Sequence, residues 1–592
     1  MRVFSMPDSS DTFNPAHLAP QQAAVELKFL PFSTQAFAQA HARNVPVFLL
    51  IGEHSPALDD PSLAAQLLER TVPVRLVPGA RPDVELLCQR AGVLFSGEGT
   101  MPLCALLTDD ALPYLAAPLP PASFPLDPSR LFVWLSQADR RFMQNRAAFS
   151  NQAAQVLRSF SAPPLRRPFS PDDAAHRLAQ TLFSAEDSVN GGFGKIKSPN
   201  VCALRFLQRR STRGDTHAHA ALSRALDAML SSALHDPLDG TFFCRTLTED
   251  WKIFVPEKSL GINATLALIL LESGRRSDAI RLLDSILSLF PLEGGGLSPF
   301  VRTNRENCTF TPEQVCAALG SEDGLRACRL LSLLRQHNRP DPPALPSRFS
   351  PIPTETAARN CESAPSALCP KLPQSPTPED AAFLRRVLPI LLRTRAARTP
   401  QQSAPYVITE HCALAAAILA QCGKRLGEPR YTQAAQRAVT FLFSCSPAAG
   451  SPVSLPASLY PASPLQAQPT CSASATLALA LLTLGSHEEM SEYAQSGFRL
   501  LGSALHAFVR QDGLVMHTPE DPAAFFLRVP AIYDSELPSP AALLIHALRI
   551  AHGMRPDAHY DDAIETIWQA SAPAAHSQPL SCLSLIDAAS CS

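Results

Sequence analysis

The sequence has no apolar run approaching the roughly 20 residues that cross a bilayer as a helix. It has no C-x-x-C pair among its 15 cysteines and no stripe of lysine and arginine. The first absence argues against a membrane-spanning protein. The second removes the spacing shared by dithiol redox centres and many zinc sites. The third, with a net charge of -2, argues against nucleic acid or anionic lipid as partners. The opening segment, broken early by Pro7 and Asp8, lacks the apolar core of a signal peptide. Cys202, Cys316, Cys328, Cys412 and Cys422 sit singly inside apolar helical patterns, where cysteine behaves as a small hydrophobe. A reducing, cytoplasmic setting is expected.

What is present is a chain of 592 residues, 46% apolar and 18% charged, too long for one ordinary core. After an N-terminal extension over 1–24, residues 25–150 alternate in type. A short amphipathic helix, "TQAFAQAHAR", precedes "VPVFLLIG", a strand buried on both faces. Helix "SLAAQLLERT", strand "VPVRLV", helix "PDVELLCQRAGV" and strands "MPLCALLTDD" and "ALPYLAA" follow. This β-α-β-α-β-β order predicts a compact α/β domain.

From 165 to 590 the pattern is helical alone, about a dozen helices with apolar residues at i, i+3, i+4 and i+7. Glycine loops such as "DPLDGTFF" and "PLEGGGLSPF" separate them. Residues 338–378, dense in Pro and Ser, cannot bury enough apolar surface to order themselves and predict a disordered insertion. Paired helices make either an open solenoid or a closed α/α toroid. The absence of a fixed repeat period and the glycine loops favour the toroid.

Ordered short motifs carry a resemblance. "FLPFSTQAFAQAHARNVPVFLLIG", "RPDVELL" and "GTMPLCALLTDDALPY" in the first part are followed by "NGGFGKIKSP", "LDGTFFCRTLTEDWKIFVPEKSLGINATL" and "FTPEQVCAALG". In this order they resemble the thioredoxin-domain proteins similar to spermatogenesis-associated protein 20. The resemblance implies a thioredoxin-like domain followed by an (α/α)6 six-hairpin toroid of the kind found in glycosidases and sugar epimerases. It also implies that Pro102 is the cis-proline facing the thioredoxin active site.

The departures bear on function. The family's C-H-W-C-H cluster should follow Gly52, where this chain reads "EHSPALDDP". A dithiol exchanges electrons through a thiolate, which Glu53 and His54 cannot replace, so no disulfide reductase activity is expected. In the family's H-F-E-K motif, Val255 and Pro256 replace His and Phe, while Glu257 and Lys258 remain. Asp236, Trp251, Asn263, Arg395 and Arg398 also match motif positions.

Glycoside hydrolysis needs two carboxyl groups across a bond, and sugar epimerisation needs an acid and a base facing one carbon. The candidate catalytic carboxylates are therefore Glu257 and Asp236. Candidate ligand-binding residues are Trp251, Lys258, Asn263, Asp239, Arg395 and Arg398. Each has a second reading: Glu257 as helix-start polarity, Asp236 as a loop cap, Trp251 as core packing. His217 and His219 point to opposite sides of a helix, so with His235 they make no metal site. "NGGFGK" follows no strand and reads as no phosphate cradle. No cofactor or metal is implied. The expected function is a non-redox structural or binding role, with a carbohydrate-like small molecule or a protein as partner. The alternative is a sugar-acting enzyme using funnel carboxylates.

Overall fold

In the computed structural model the described residues are 27–52, 55–119, 167–194, 196–333, 370–372, 377–398, 401–445, 455–459, 469–487, 491–520 and 528–590, with short pieces between 128 and 165. Glu53 and His54, the extension 1–24 and most of 338–378 lie outside them.

The first domain runs β1 (Leu30–Pro31), α1 (Thr34–Arg43), β2 (Val47–Ile51), α2 (Pro61–Arg70), β3 (Val72–Leu76), α3 (Pro82–Ser96), β4 (Leu103–Leu107) and β5 (Pro113–Pro118). Its sheet has the order β1-β3-β2-β4-β5. β3 pairs in parallel with β1 and β2, while β4 is antiparallel to both β2 and β5. All five residues of β2 and of β4 are buried, as strands covered on both faces must be. This is the thioredoxin-like arrangement, and the Met101–Pro102 peptide is cis.

The second domain is a ring of helical hairpins. Its helices are α4 (Pro171–Ala185), α5 (Val201–Thr212), α6 (Thr216–Leu230), α7 (Leu260–Glu272), α8 (Arg276–Leu289), α9 (Pro312–Leu319), α10 (Ser321–Leu330), α11 (Pro378–Ala396), α12 (Thr409–Leu426), α13 (Pro429–Ser444), α14 (Cys471–Gly485), α15 (Glu492–Phe508), α16 (Pro540–Met554), α17 (Ala558–Ser577) and α18 (Leu583–Ala589). α5, α7, α12, α14, α16 and α18 each touch the next, and α18 returns to α5, closing an inner ring of six. α6, α8, α13, α15, α17 and α4 each back one inner helix. The sequence dictates this division. α7 is buried from Leu260 to Leu270 and α14 along all its 15 residues, which suits only a helix enclosed on every side. Outer helices such as α6 and α13 bury a single stripe. The domain is an (α/α)6 toroid.

Between α8 and α12 the chain leaves the ring. α9, α10 and α11 form a side lobe around Phe310, Val315, Cys328, Phe383 and Val387. A small sheet joins β6 (Glu257–Ser259), β7 (Phe300–Arg302) and β8 (Gln402–Ser403) at the foot of α7.

Candidate active site between lid and funnel

Every inner helix begins at the same end of the ring, and side chains at those beginnings line one cavity of about 970 Å³, at the upper end of ordinary ligand pockets. Asn200 precedes α5, Ile262 and Glu410 stand in the first turns of α7 and α12, and Ser472, Pro540 and Leu583 open α14, α16 and α18. Six helix N-termini therefore aim their free N–H groups and positive dipole ends at one space. The other wall is the thioredoxin-like domain, contributing Gly52, Gly79, Thr100, Met101, Pro102 and one face of α3. The face that would carry a thioredoxin dithiol is the lid of the toroid funnel.

Specific contacts fasten this lid. Arg245 of the toroid donates to the carbonyl oxygen of Met101 at 2.5 Å. Arg90 on α3 donates to Gln578 Oε1 at 2.8 Å and lies 4.5 Å from the Tyr533 ring centroid. Gly79, at φ +79°, lets the lid approach, because a Cβ there would fall 2.5 Å from Ile408 Cδ1. Gly97 has φ +80° with open space around its Cβ position. Both Gly→Ala changes carry the left-handed backbone cost of about 1–2 kcal/mol, but only Gly79→Ala also forces the lid away. Urea unfolding should find Gly79→Ala the more damaging, and hydrogen exchange should show added opening of α3 in that variant alone. Equal exchange in the two variants would mean that Gly79 does not seat the lid.

The sequence candidates divide sharply. Glu257 lines the cavity, half-buried, with Oε2 2.5 Å from Arg302 Nε. It sits in β6 opposite Arg302 and does not cap α7; Ser259 is that cap. Pro102 also lines the cavity.

Asp236, Asp239, Lys258 and Arg395 do not reach it. They are buried beneath the funnel as a four-charge cluster. Lys258 Nζ lies 2.7 Å from Asp236 and 2.5 Å from Asp239, and Arg395 spans the same carboxylates at 2.6 and 2.7 Å. Burial pushes the Asp236 carboxyl up, but Arg395 and Lys258 outweigh it and hold the group well below the usual range. Asn263 is fully buried, its amide bonded to the backbone of Phe242 and to Ser259 O. Trp251 is core, with Nε1 donating to Asn190 O and its ring covered by Gly192. Arg398 lies over Phe310 in the side lobe and donates to Thr309 O. None of these residues lines the cavity.

In their place the ring brings in groups that the motifs did not single out. Burial pushes the Glu410 carboxyl up to about 7, with a hydrogen bond from Ser472 opposing and the Glu536 charge adding. Glu536 accepts from Ser259 Oγ at 2.8 Å. Its side chain is 40% exposed to the cavity, yet the enclosing walls push it up to about 7 as well. Glu85 of the lid accepts from Gly79 N at 2.6 Å and is pushed up to about 8 by burial, partly opposed by that bond and reinforced by Glu410. His411 and His517 are buried cavity residues, and Nδ1 of the first and both ring nitrogens of the second have no hydrogen-bond partner. Burial pushes both down to about 4, against a weaker pull from Asp83 on His517. They are neutral imidazoles at neutral pH.

Among the described residues no group of three His, Cys, Asp or Glu side chains is placed to hold a metal. No helix there is long and apolar enough to cross a membrane.

Comparison with known proteins agrees with the motif reading. Residues 15–161 match the family Thioredox_DsbH, described as "Protein of unknown function, DUF255". Uncharacterized protein B0495.5 of Caenorhabditis elegans is 24% identical over 266 residues, covering 40% of this chain and 35% of that protein. Spermatogenesis-associated protein 20 of Homo sapiens is 22% identical over 269 residues, covering 42% of this chain and 34% of its own. The matched stretch thus spans about a third of these relatives' length. Among solved structures, a D-mannose isomerase superposes with a TM-score of 0.43 at 10% identity, covering 70% of this chain and 88% of that one. The chain resembles, at a distance, the thioredoxin-domain proteins similar to spermatogenesis-associated protein 20.

Proposed function

We propose that the protein binds a small polyhydroxylated, carbohydrate-like molecule in the cavity between lid and funnel, and that it carries out no thiol–disulfide chemistry. The observation behind this reading is the density of hydrogen-bonding groups that face the cavity without protein partners or with only one. Glu410, Glu536 and the His411 and His517 rings are of this kind. A buried polar group left unpaired costs about 1–3 kcal/mol, and a ligand with many hydroxyls satisfies several at once.

The redox half rests on the cysteines. The 12 described ones are all free. Cys104, in the sheet beneath the lid, is pushed up to about 12 by burial, so it is not a thiolate at physiological pH. Free cysteines among the described residues also suit a reducing, cytoplasmic setting.

A second reading, a sugar-acting enzyme, is favoured by one feature. Two cavity carboxyls pushed up to about 7 lie where a general acid or base works best near neutrality. Glu257 is then a third carboxylate, held by Arg302.

One experiment addresses both readings. A thermal-shift panel of mono- and disaccharides should raise the melting temperature, by the equivalent of about 2.7 kcal/mol at 100 times Kd. Glu257→Gln and Glu410→Gln should remove that rise while leaving the ligand-free melt nearly unmoved. NMR of the incubated saccharide then separates binding from turnover. A panel without any shift would overturn the binding reading.

A further inference from the structure

The cavity is rich in acceptors, and its cations are already engaged. Of the three arginines on its wall, Arg90 donates to Gln578, Arg245 to the Met101 carbonyl, and Arg302 to Glu257. Glu85, Glu410 and Glu536 face this space from the lid, α12 and the loop before α16, and among the described residues no lysine or arginine is ion-paired to any of them. Their neighbours are backbone N–H groups, serine hydroxyls, one another, Asp83, Glu257, Arg245 and His411, whose Nε2 lies 4.0 Å from Glu536.

Independently, His517 is 5% exposed and lines the same space with both ring nitrogens unpartnered. A neutral imidazole offers one lone pair as an acceptor, and one N–H as a donor that a sugar oxygen can accept. A hydroxyl meets such acceptors one at a time and brings no charge. An ammonium group brings three donors, no acceptor and a full positive charge.

We propose that the occupant of this cavity carries a protonated amino group seated among Glu85, Glu410 and Glu536, which makes amino sugars, rather than neutral sugars, its ligand class. The proposal deepens the carbohydrate reading and depends on it. Electrostatics agree with the geometry. Glu85 faces Asp83, Glu410 and Glu536; Glu410 faces Glu536; Glu536 faces Glu257 and, as its one cationic neighbour, Arg245. Enclosure first, and mutual repulsion second, let these carboxyls hold protons near neutrality, so a bound cation expels protons as it enters.

The test is calorimetric titration of the full chain, near neutral pH, with D-glucosamine, D-galactosamine and D-mannosamine, each paired with its parent hexose. Two buffers of different ionisation enthalpy report the protons released. At least one hexosamine is expected to bind roughly tenfold or more tightly than its hexose, with net proton release. Glu410→Gln and Glu536→Gln should each remove most of that preference while the ligand-free melting temperature stays close to that of the parent. Hexoses that bind as well as their hexosamines in all three pairs overturn the amine proposal and leave the carbohydrate reading standing. No binding by either class overturns both. A preference that survives in both variants places the amine elsewhere and overturns the proposal.

Discussion

Replacing Arg395 with Ala is expected to cost the protein about 3–5 kcal/mol, the usual penalty for stranding a buried charge. Arg395 reaches the toroid from the end of α11 in the side lobe and is 3% exposed. With Lys258 it balances two cations against Asp236 and Asp239. The aspartates are otherwise engaged with the loop backbone at Leu238 and Thr241, 3.1 Å away in each case. Removing Arg395 leaves two carboxylates sharing one ammonium where water cannot compensate.

Arg395→Lys should recover part of the loss, since one ammonium supplies charge without the two-pronged reach. The sign with pH is fixed. A depressed aspartate contributes stability above its unfolded value of 3.8, and that contribution fades as pH falls through its lower folded value. The gap between parent and Arg395→Ala should therefore be widest near neutrality and narrow in acid. Urea midpoints at several pH values measure it. A loss below about 1 kcal/mol would show that water reaches the cluster and that the side lobe is not tied to the ring through it.

Residues that carried the motif resemblance, Asp236, Trp251, Lys258 and Asn263, thus form the frame under the funnel rather than its lining. The sequence could place them near one another because they lie within one hairpin. It could not show which way they faced, since a loop that turns under a helix and one that turns over it share the same glycine and proline signals. Glu410 and Glu536 come together only when the ring closes, and their separation of 126 positions in the chain hides their proximity. A usable signal was present nonetheless. In helices apolar on all sides, the first polar residues mark the end that meets the cavity, as Ser259, Glu410 and Ser472 do. The two domains were readable in outline because strand alternation and helical periodicity are local. The lid's docking on the funnel was not, because it depends on single contacts such as Arg245 with Met101.

The stability of the protein should fall as pH rises from about 6.5 to about 8, opposite to the usual behaviour of paired carboxylates. Glu85, Glu410 and Glu536 have ordinary values of 4.5 and are raised to about 8, 7 and 7. A raised acid holds its proton in the folded state after the unfolded chain has released it. Its contribution is complete below 4.5 and lost as pH climbs through the folded value. Four histidines act the other way. His235, His411 and His517 are lowered from 6.5 to about 4 and His546 is held well below its ordinary value by burial, so their contribution is complete above 6.5 and lost as pH falls; Asp534, raised from 3.8 to about 6 by burial, joins the carboxyls below that point. Between about 4.5 and 6.5 the two sets oppose each other and the profile should be nearly flat. Above 6.5 only the carboxyls remain. A proton held tenfold more tightly in the folded state is worth about 1.4 kcal/mol, but water in the cavity screens Glu536, so the expected loss for the set is about 2 kcal/mol. Glu410→Gln replaces a carboxyl by a neutral group of the same shape that titrates in neither state, and it should flatten the alkaline limb by roughly a third. The measurement is the urea midpoint of both proteins from pH 5 to 8.5. A parent curve that rises through this window would mean that the three carboxylates are stabilised by cations the cavity does not show. It would also remove the electrostatic ground for seating an amine among them.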